Sequence, residues 1–280
     1  MTVEVRVVTD PACGWSWGTE PKLRRLDWEF GDQLALRWVM GGMARTVGGA
    51  ERERYSAAWL DVAAESGMPV DPRLWAQGGM SSTYPACQAV VAACEQGPAA
   101  GGRYLRRLRE GIVCERKRLD HAEALIAEAG PAGLDVAHFE LDLRSNAIVE
   151  AFGAQLEEAR EIPDRAKAEG ATGCTGPIER VTFPSLTFVG SGGERGGVYG
   201  WRPYEAYREE ALAAGAEPTG RAAPEVLEAI DHFGRCATAE IEALTGRPRV
   251  VVEAELWALA REWRLRAIPA LTGTLWERAR

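Results

Sequence analysis

Polar and apolar residues alternate from the start: Met1-Thr2-Val3-Glu4-Val5-Arg6-Val7-Val8 has the period of a half-buried strand and lacks the basic and long apolar regions of a signal peptide. Asp10-Pro11 marks a turn or helix entry, and a helix is expected from near Cys13 through Leu23 and Leu26. Leu34 to Met40 is the next apolar strand, closed by Gly41-Gly42. From about Gly49 to Gly170 the period changes to that of helices. Tyr55, Trp59 and Val62 share a face, as do Tyr104, Leu108 and Ile112, then Ile148, Phe152, Leu156 and Ala159. These faces are too regular for a solvated linker, so a bundle of several helices is expected, punctuated at Gly97-Pro98, Gly130-Pro131 and Gly133.

A second β region follows. Val181 to Val189 reads as a buried strand entered through a proline, Gly190-Ser191-Gly192-Gly193 as the turn, and Val198-Tyr199-Gly200 as the start of a partner strand. Pro203 to Ala214 is a short closing helix. Beyond it, Leu227, Ile230 and Phe233, then Ile241 and Leu244, then Leu256, Leu259 and Trp263 mark three more helices, with Leu265 to Trp276 a small hairpin around Thr272-Gly273. That order of elements resembles a winged helix. Residues 221–280 carry nine Arg against nine Asp plus Glu and no Lys, which argues against DNA binding.

Composition narrows the class. With 280 residues and 46% hydrophobic content the chain can bury a sizeable core, and its net charge of -8 excludes a general nucleic-acid or anionic-membrane binder. No segment approaches the ~18 uninterrupted apolar residues of a membrane helix, so a cytoplasmic location is expected. The six cysteines Cys13, Cys87, Cys94, Cys114, Cys174 and Cys236 form no Cys-x-x-Cys pair, and His121, His138 and His232 show no ligand spacing to them. Thiols are expected rather than disulfides, and no metal site.

The chemistry concentrates in Asp10-Pro11-Ala12-Cys13-Gly14-Trp15-Ser16-Trp17-Gly18-Thr19-Glu20-Pro21, directly after the first strand and at a helix start. Free backbone N–H groups and the positive end of a helix stabilise a thiolate there, so Cys13 is expected to be partly exposed, acidic and nucleophilic. Ser16 stands where a second, resolving cysteine would sit. Its hydroxyl can hold the Cys13 thiolate by a hydrogen bond but cannot form a disulfide. The competing reading makes Cys13 one more small buried hydrophobe. Trp15 and Trp17 read equally as the lining of a substrate groove or as core.

The strand followed by Asp-Pro-x-Cys-x-Trp-x-Trp-Gly-x-x-Pro resembles the active-site segment of the DsbA-like thioredoxin families, especially the cytoplasmic branch related to FrnE-type dithiol isomerases and ClpXP-adaptor proteins. Pro85 to Ala93 and Phe139 to Ser145 look similar to the helical stretch of that group, and the resemblance spans about residues 3–215. It implies an α/β thioredoxin-like fold in residues 1–48 and 178–215 with a large all-helical insertion in 49–177; beyond its reach, residues 216–280 are expected to form a small C-terminal helical module, winged-helix-like in its order of elements. It also implies that Thr182-Phe183-Pro184-Ser185 is the cis-proline turn opposite the cysteine, with the backbone of Phe183 free to pair with a substrate strand. On this reading Cys13 and Ser16 are the catalytic pair, and Trp15, Trp17, Phe183 and Pro184 bind substrate.

The expected function is a DsbA-like thiol-disulfide oxidoreductase or isomerase with one nucleophilic cysteine. No cofactor is tightly bound on this reading, and a low-molecular-weight thiol, or a distant cysteine such as Cys174, resolves the mixed disulfide. The alternative is a non-catalytic adaptor holding a partner protein, and a weaker one is a kappa-class glutathione transferase-like enzyme. Partners are protein or small-molecule thiols and disulfides, not nucleic acid or membrane. The basic run Arg103, Arg106, Arg107, Arg109, Arg116, Lys117 and Arg118 is expected to be a solvated face rather than an anion site.

Overall fold

The computed structural model describes all residues except Met1, Ser191, Glu194 and Arg280; the expected turn at 190–193 therefore lies partly outside the described residues. Strand β1 (Val3–Thr9) pairs in parallel with β2 (Leu34–Met40) and antiparallel with β5 (Ser185–Val189), which in turn pairs with β6 (Arg195–Tyr199). The resulting order is β2-β1-β5-β6. A parallel pair needs a crossover, which is made here by α1 (Gly14–Trp17) and α2 (Glu20–Phe30). The single helix expected from the sequence is thus two helices. Pro21 has no N–H to donate and is tolerated only in the first turn, so a new helix begins at Glu20. Val3, Val5 and Val7 of β1 pack against Leu23, Leu26 and Phe30 of α2 and Tyr207 of α11 (Tyr204–Ala213).

Between β2 and the next strand lie α3 (Gly49–Ser66), α4 (Arg73–Ala76), α5 (Tyr84–Cys94), α6 (Pro98–Arg109), a π-helical stretch at Glu110–Cys114, α7 (Ala122–Ala129), α8 (Val136–Leu143), α9 (Asn146–Arg160) and α10 (Asp164–Ala168). Two of these start on side-chain caps. Asp135 accepts from the His138 amide and Ser145 from the Ala147 amide, each cap contributing about 1 kcal/mol. Trp59, Trp75, Tyr104, Phe139 and Phe152 fill the interior of the bundle.

The stretch expected to be all helical ends in a strand. β3 (Thr172–Thr175) and β4 (Ile178–Val181) form a hairpin separate from the main sheet. The single strand expected over 181–189 is correspondingly divided. β4 turns away to pair with β3, and the chain bends through Thr182 and the cis Phe183–Pro184 bond before β5 begins.

After α11 come α12 (Val226–Phe233), a two-residue strand β7 (Cys236–Ala237), α13 (Thr238–Thr245), α14 (Arg249–Arg261), β8 (Leu265–Ala270) and β9 (Gly273–Arg278), with sheet order β7-β9-β8. Their apolar faces enclose Ile230, Ile241, Leu256 and Trp276, and Trp28 of α2 completes that cluster.

The basic run, expected to be a solvated face, is divided: Arg106, Arg107, Arg109 and Lys117 are taken up in ion pairs, and only the remaining three are exposed. Glu240, fully buried, accepts from Arg24 at 2.9 Å and Arg106 at 2.6 Å. Glu20 pairs with Arg109 and, at 3.2 Å, with Arg106. Arg107 meets Glu128 and Glu115, and Arg235 joins Glu110, Glu115 and Glu277. Helical spacing correctly puts these arginines on one face; that face is covered by α2 and by the elements after α11, which bring the carboxylates. Arg103, Arg116 and Arg118 remain exposed, as expected for a solvated face.

No helix among the described residues is long and apolar enough to cross a membrane, and no described cluster of His, Cys, Asp and Glu is arranged to hold a metal ion.

Candidate functional site

The chain leaves β1 at Asp10, whose buried carboxylate organises the turn. Oδ1 accepts from the Ala12 amide at 2.8 Å, and Oδ2 accepts from the Met43 amide at 2.6 Å and the Thr83 hydroxyl at 2.7 Å. The Cys87 thiol also donates to Oδ2. The Cys13 amide closes the turn on the Asp10 carbonyl, and Cys13 becomes the N-cap of α1. Gly14 follows because a Cβ there would come within 2.7 Å of the Trp59 ring.

Cys13 is 6% exposed and lies in an apolar cluster with Val8, Val39, Val181 and Phe183. Its thiol makes a long contact, 3.9 Å, with the Phe183 carbonyl oxygen. The sequence-based expectation of a partly exposed, acidic thiol is therefore corrected. Burial raises the Cys13 pKa above the ordinary thiol value and Asp10 adds to the rise; the Ser16 hydroxyl and amide and the Arg180 charge oppose it without prevailing. The four-residue α1 offers only one turn of helix dipole to set against desolvation.

Ser16 is 1% exposed, and its Oγ has no partner in hydrogen-bond geometry. It lies close enough to lower the Cys13 pKa but does not clamp the sulfur. Trp17 is fully buried, donates from Nε1 to the Pro69 carbonyl at 2.8 Å and lies under the Arg106 guanidinium, so it is core and not a groove wall. Trp15 is half-buried, with its ring 5.8 Å from that of Trp201. Trp201 is held by a bond from Nε1 to the Gly18 carbonyl, and the Lys22 ammonium sits 3.4 Å from its ring centre. Burial pulls the Lys22 pKa down to about 7.

Phe183 and Pro184 are brought beside Cys13, but both side chains are buried. The Phe183 ring fits because residue 41 is glycine; a Cβ there would overlap the ring at 2.2 Å. Its other face carries Arg180, whose guanidinium stands 3.6 Å from the ring centre. Arg180 donates from Nε to Thr175 Oγ1 at 3.0 Å and from Nη1 to the Val181 carbonyl at 2.9 Å, while Thr175 donates to the Gly42 carbonyl. One face of the β3–β4 hairpin, with Gly173, Thr175 and Arg180, thus turns inward. Cys174 is exposed on the alternate face, so it is not placed to resolve a disulfide at Cys13 in this conformation.

With this geometry in hand, residues 7–163 match the family described as Thioredoxin. The chain belongs to this thioredoxin family. Among curated relatives of this thioredoxin, ClpXP adapter protein SpxH of Halalkalibacterium halodurans is 31% identical over 57% of the chain and 55% of the relative. ClpXP adapter protein SpxH of Shouchella clausii is 28% identical over 98% of the chain and 88% of the relative. Among solved structures, cytosolic disulfide reductase DsbM from Pseudomonas aeruginosa superposes with a TM-score of 0.59 at 21% identity, covering 75% of the chain and 98% of that protein, a likeness of fold.

Sequence reasoning missed Arg180 and Trp201 as parts of this thioredoxin's cysteine site, and gave Asp10 only as the turn signal that opens the cysteine segment. Alternation in β4 puts residues 178 and 180 on one face, which was the available signal for Arg180. The hairpin that carries it was not foreseen.

Proposed function

We propose that this protein is a cytoplasmic adaptor: a thioredoxin-fold protein that holds a partner protein for a ClpXP-type protease and has no redox turnover of its own. The observation that carries the reading is the state of Cys13. The sulfur is buried, its pKa is raised by that burial, and Ser16 replaces the second sulfur a dithiol cycle requires. The adapter names of relatives that align along nearly the whole chain support the same reading. Residues 216–280 are read as a separate module, winged-helix-like in its order of elements and fixed to the thioredoxin part through Arg24, Arg106 and Glu240.

The test has two arms. Proteins that accumulate when the gene is deleted are purified and digested by ClpXP with and without this protein. Faster digestion of at least one, retained by Cys13→Ser, is expected; no acceleration of any overturns the reading. In parallel, reduction of insulin by glutathione is expected to be no faster with the protein than without it.

The second reading is the oxidoreductase or isomerase with an external thiol. It is favoured by Arg180, whose positive charge beside Cys13 acts to lower the sulfur's pKa. Catalysed insulin reduction that is lost in Cys13→Ser would select it.

A further inference from the structure

Arg180 is 8% exposed, yet it reaches no carboxylate within salt-bridge distance among the described residues. A guanidinium carries five N–H donors, and among the described residues only Nε and Nη1 of Arg180 donate to an acceptor, which leaves Nη2 open to a ligand. A buried cation is ordinarily paired, because leaving it alone in a low-dielectric setting is costly. Burial acts most on Arg180, followed by the Cys13 sulfur and then Asp10, and both Asp10 oxygens are already committed to Ala12, Met43, Thr83 and Cys87. Ser16 Oγ, at 1% residue exposure, is a second polar group beside the same sulfur with no partner. A hydroxyl without a partner and a cation without a carboxylate thus lie near one thiol, and the cation is planar and suited to bidentate recognition of a carboxylate.

We propose that the surroundings of Cys13 form a carboxylate-recognition site in which Arg180 binds the acid group of an incoming ligand and Ser16 supplies a further hydrogen bond. This deepens, and rests on, the reading of the Cys13 face as the surface that holds a partner. The half-buried Trp15 and Trp201 flank the cysteine helix and supply the apolar rim. No bond is made or broken in this recognition.

The probe is a pair of reagents of equal size that differ in charge, iodoacetate and iodoacetamide, with uptake at Cys13 followed in the folded protein by peptide mass spectrometry. Access and thiolate fraction are common to both reagents, so their rate ratio isolates the local charge. The ratio of iodoacetate to iodoacetamide is expected to exceed that of a free small thiol despite the chain's net charge of -8. It should fall about tenfold in Arg180→Gln, the size expected of one nearby unit charge at a partly screened site, and be largely kept in Arg180→Lys. An unchanged ratio in Arg180→Gln, or a Cys13 that takes up neither reagent, overturns the proposal.

A second measurement needs no variant. Sodium acetate is expected to slow labelling of Cys13 by neutral iodoacetamide relative to sodium chloride at equal ionic strength, and absence of slowing overturns the site. Glutathione protecting at concentrations well below acetate assigns the acid group to a small thiol. Loss of ClpXP-dependent partner digestion in Arg180→Gln assigns it to the partner protein. If the reagent ratio shifts while no partner is digested faster, the carboxylate site stands and the adaptor reading fails.

Discussion

Arg109 and Arg180 are both nearly excluded from water, and they live in opposite company. Arg109, 1% exposed, is paired with Glu20 and donates to Thr9, inside a network that also holds Arg24, Arg106 and Glu240. Arg180, 8% exposed, leans on an aromatic ring, a hydroxyl and a carbonyl. In the first setting every charge is answered within the chain, so the arginines fasten helices together. In the second no carboxylate among the described residues lies within salt-bridge distance of the guanidinium, near the cysteine that the fold sets beside its cis-proline turn. The contrast separates architecture from recognition without reference to sequence motifs.

The strongest way to break this contrast is to remove one partner from each setting. Glu240→Gln leaves Arg24 and Arg106 short of a buried carboxylate and is expected to cost about 3–5 kcal/mol in urea unfolding. Arg180→Gln loses two hydrogen bonds and a stacking contact but strands no carboxylate, and is expected to cost about 1–2 kcal/mol. Equal costs would mean that Arg180 is as structural as the network.

Acid sharpens the comparison next. Glu115, between Arg107, Lys117 and Arg235, has its pKa held down to about 2 from an ordinary 4.5, the arginine and lysine contacts outweighing burial. A carboxylate depressed in the folded state contributes stability that is complete above its unfolded pKa and is lost as pH falls through the folded one. The network's share through Glu115 should therefore disappear between pH 4.5 and about 2. Glu115→Gln should be less stable at neutral pH and show a shallower loss across that window in circular-dichroism melts. No carboxylate reports on Arg180 in the same way.

Cys13 supplies the third comparison. Its alkylation midpoint should lie above the ordinary thiol value of 9.0, because burial outweighs Ser16 and Arg180; a midpoint well below it would restore the activated nucleophile. The smallest effect is expected from Gly173→Ala, whose Cβ would stand 3.1 Å from Arg180 Nη1. Stability should change by about 0.5 kcal/mol, while the preference of Cys13 for iodoacetate drops as the guanidinium is displaced.

Local pattern explains which parts of this arrangement were legible in the sequence. β1, β2 and the placement of Cys13 just beyond β1 follow from valine alternation and the Asp10-Pro11 signal, and those depend only on neighbouring residues. The division of the crossover helix was written in Pro21 but read as continuous, since Leu23 and Leu26 keep the helical period across it. β3 was invisible because Thr172-Gly173-Cys174-Thr175 has no apolar alternation. Its pairing comes from β4, and its position from the bond between Thr175 and the Gly42 carbonyl. Burial of Trp17 and of the α6 arginines escaped for a common reason: a helical wheel tells which residues share a face but not what another part of the chain lays on it. Arg180 comes near Cys13 because Thr175, on the same hairpin face, is tied to the Gly42 carbonyl just beyond β2.

The network around Glu240 bears also on how such a chain can be inherited. Arg24 comes from α2, Arg106 from α6 and Glu240 from α13, so one cluster of charges is written by three distant stretches of the gene. A rearrangement that dropped the last sixty or so codons would leave Arg24 and Arg106 facing a lost carboxylate, and a transplanted tail would carry Glu240 into a foreign setting without its cations. The ending of this protein is thus not a detachable cassette.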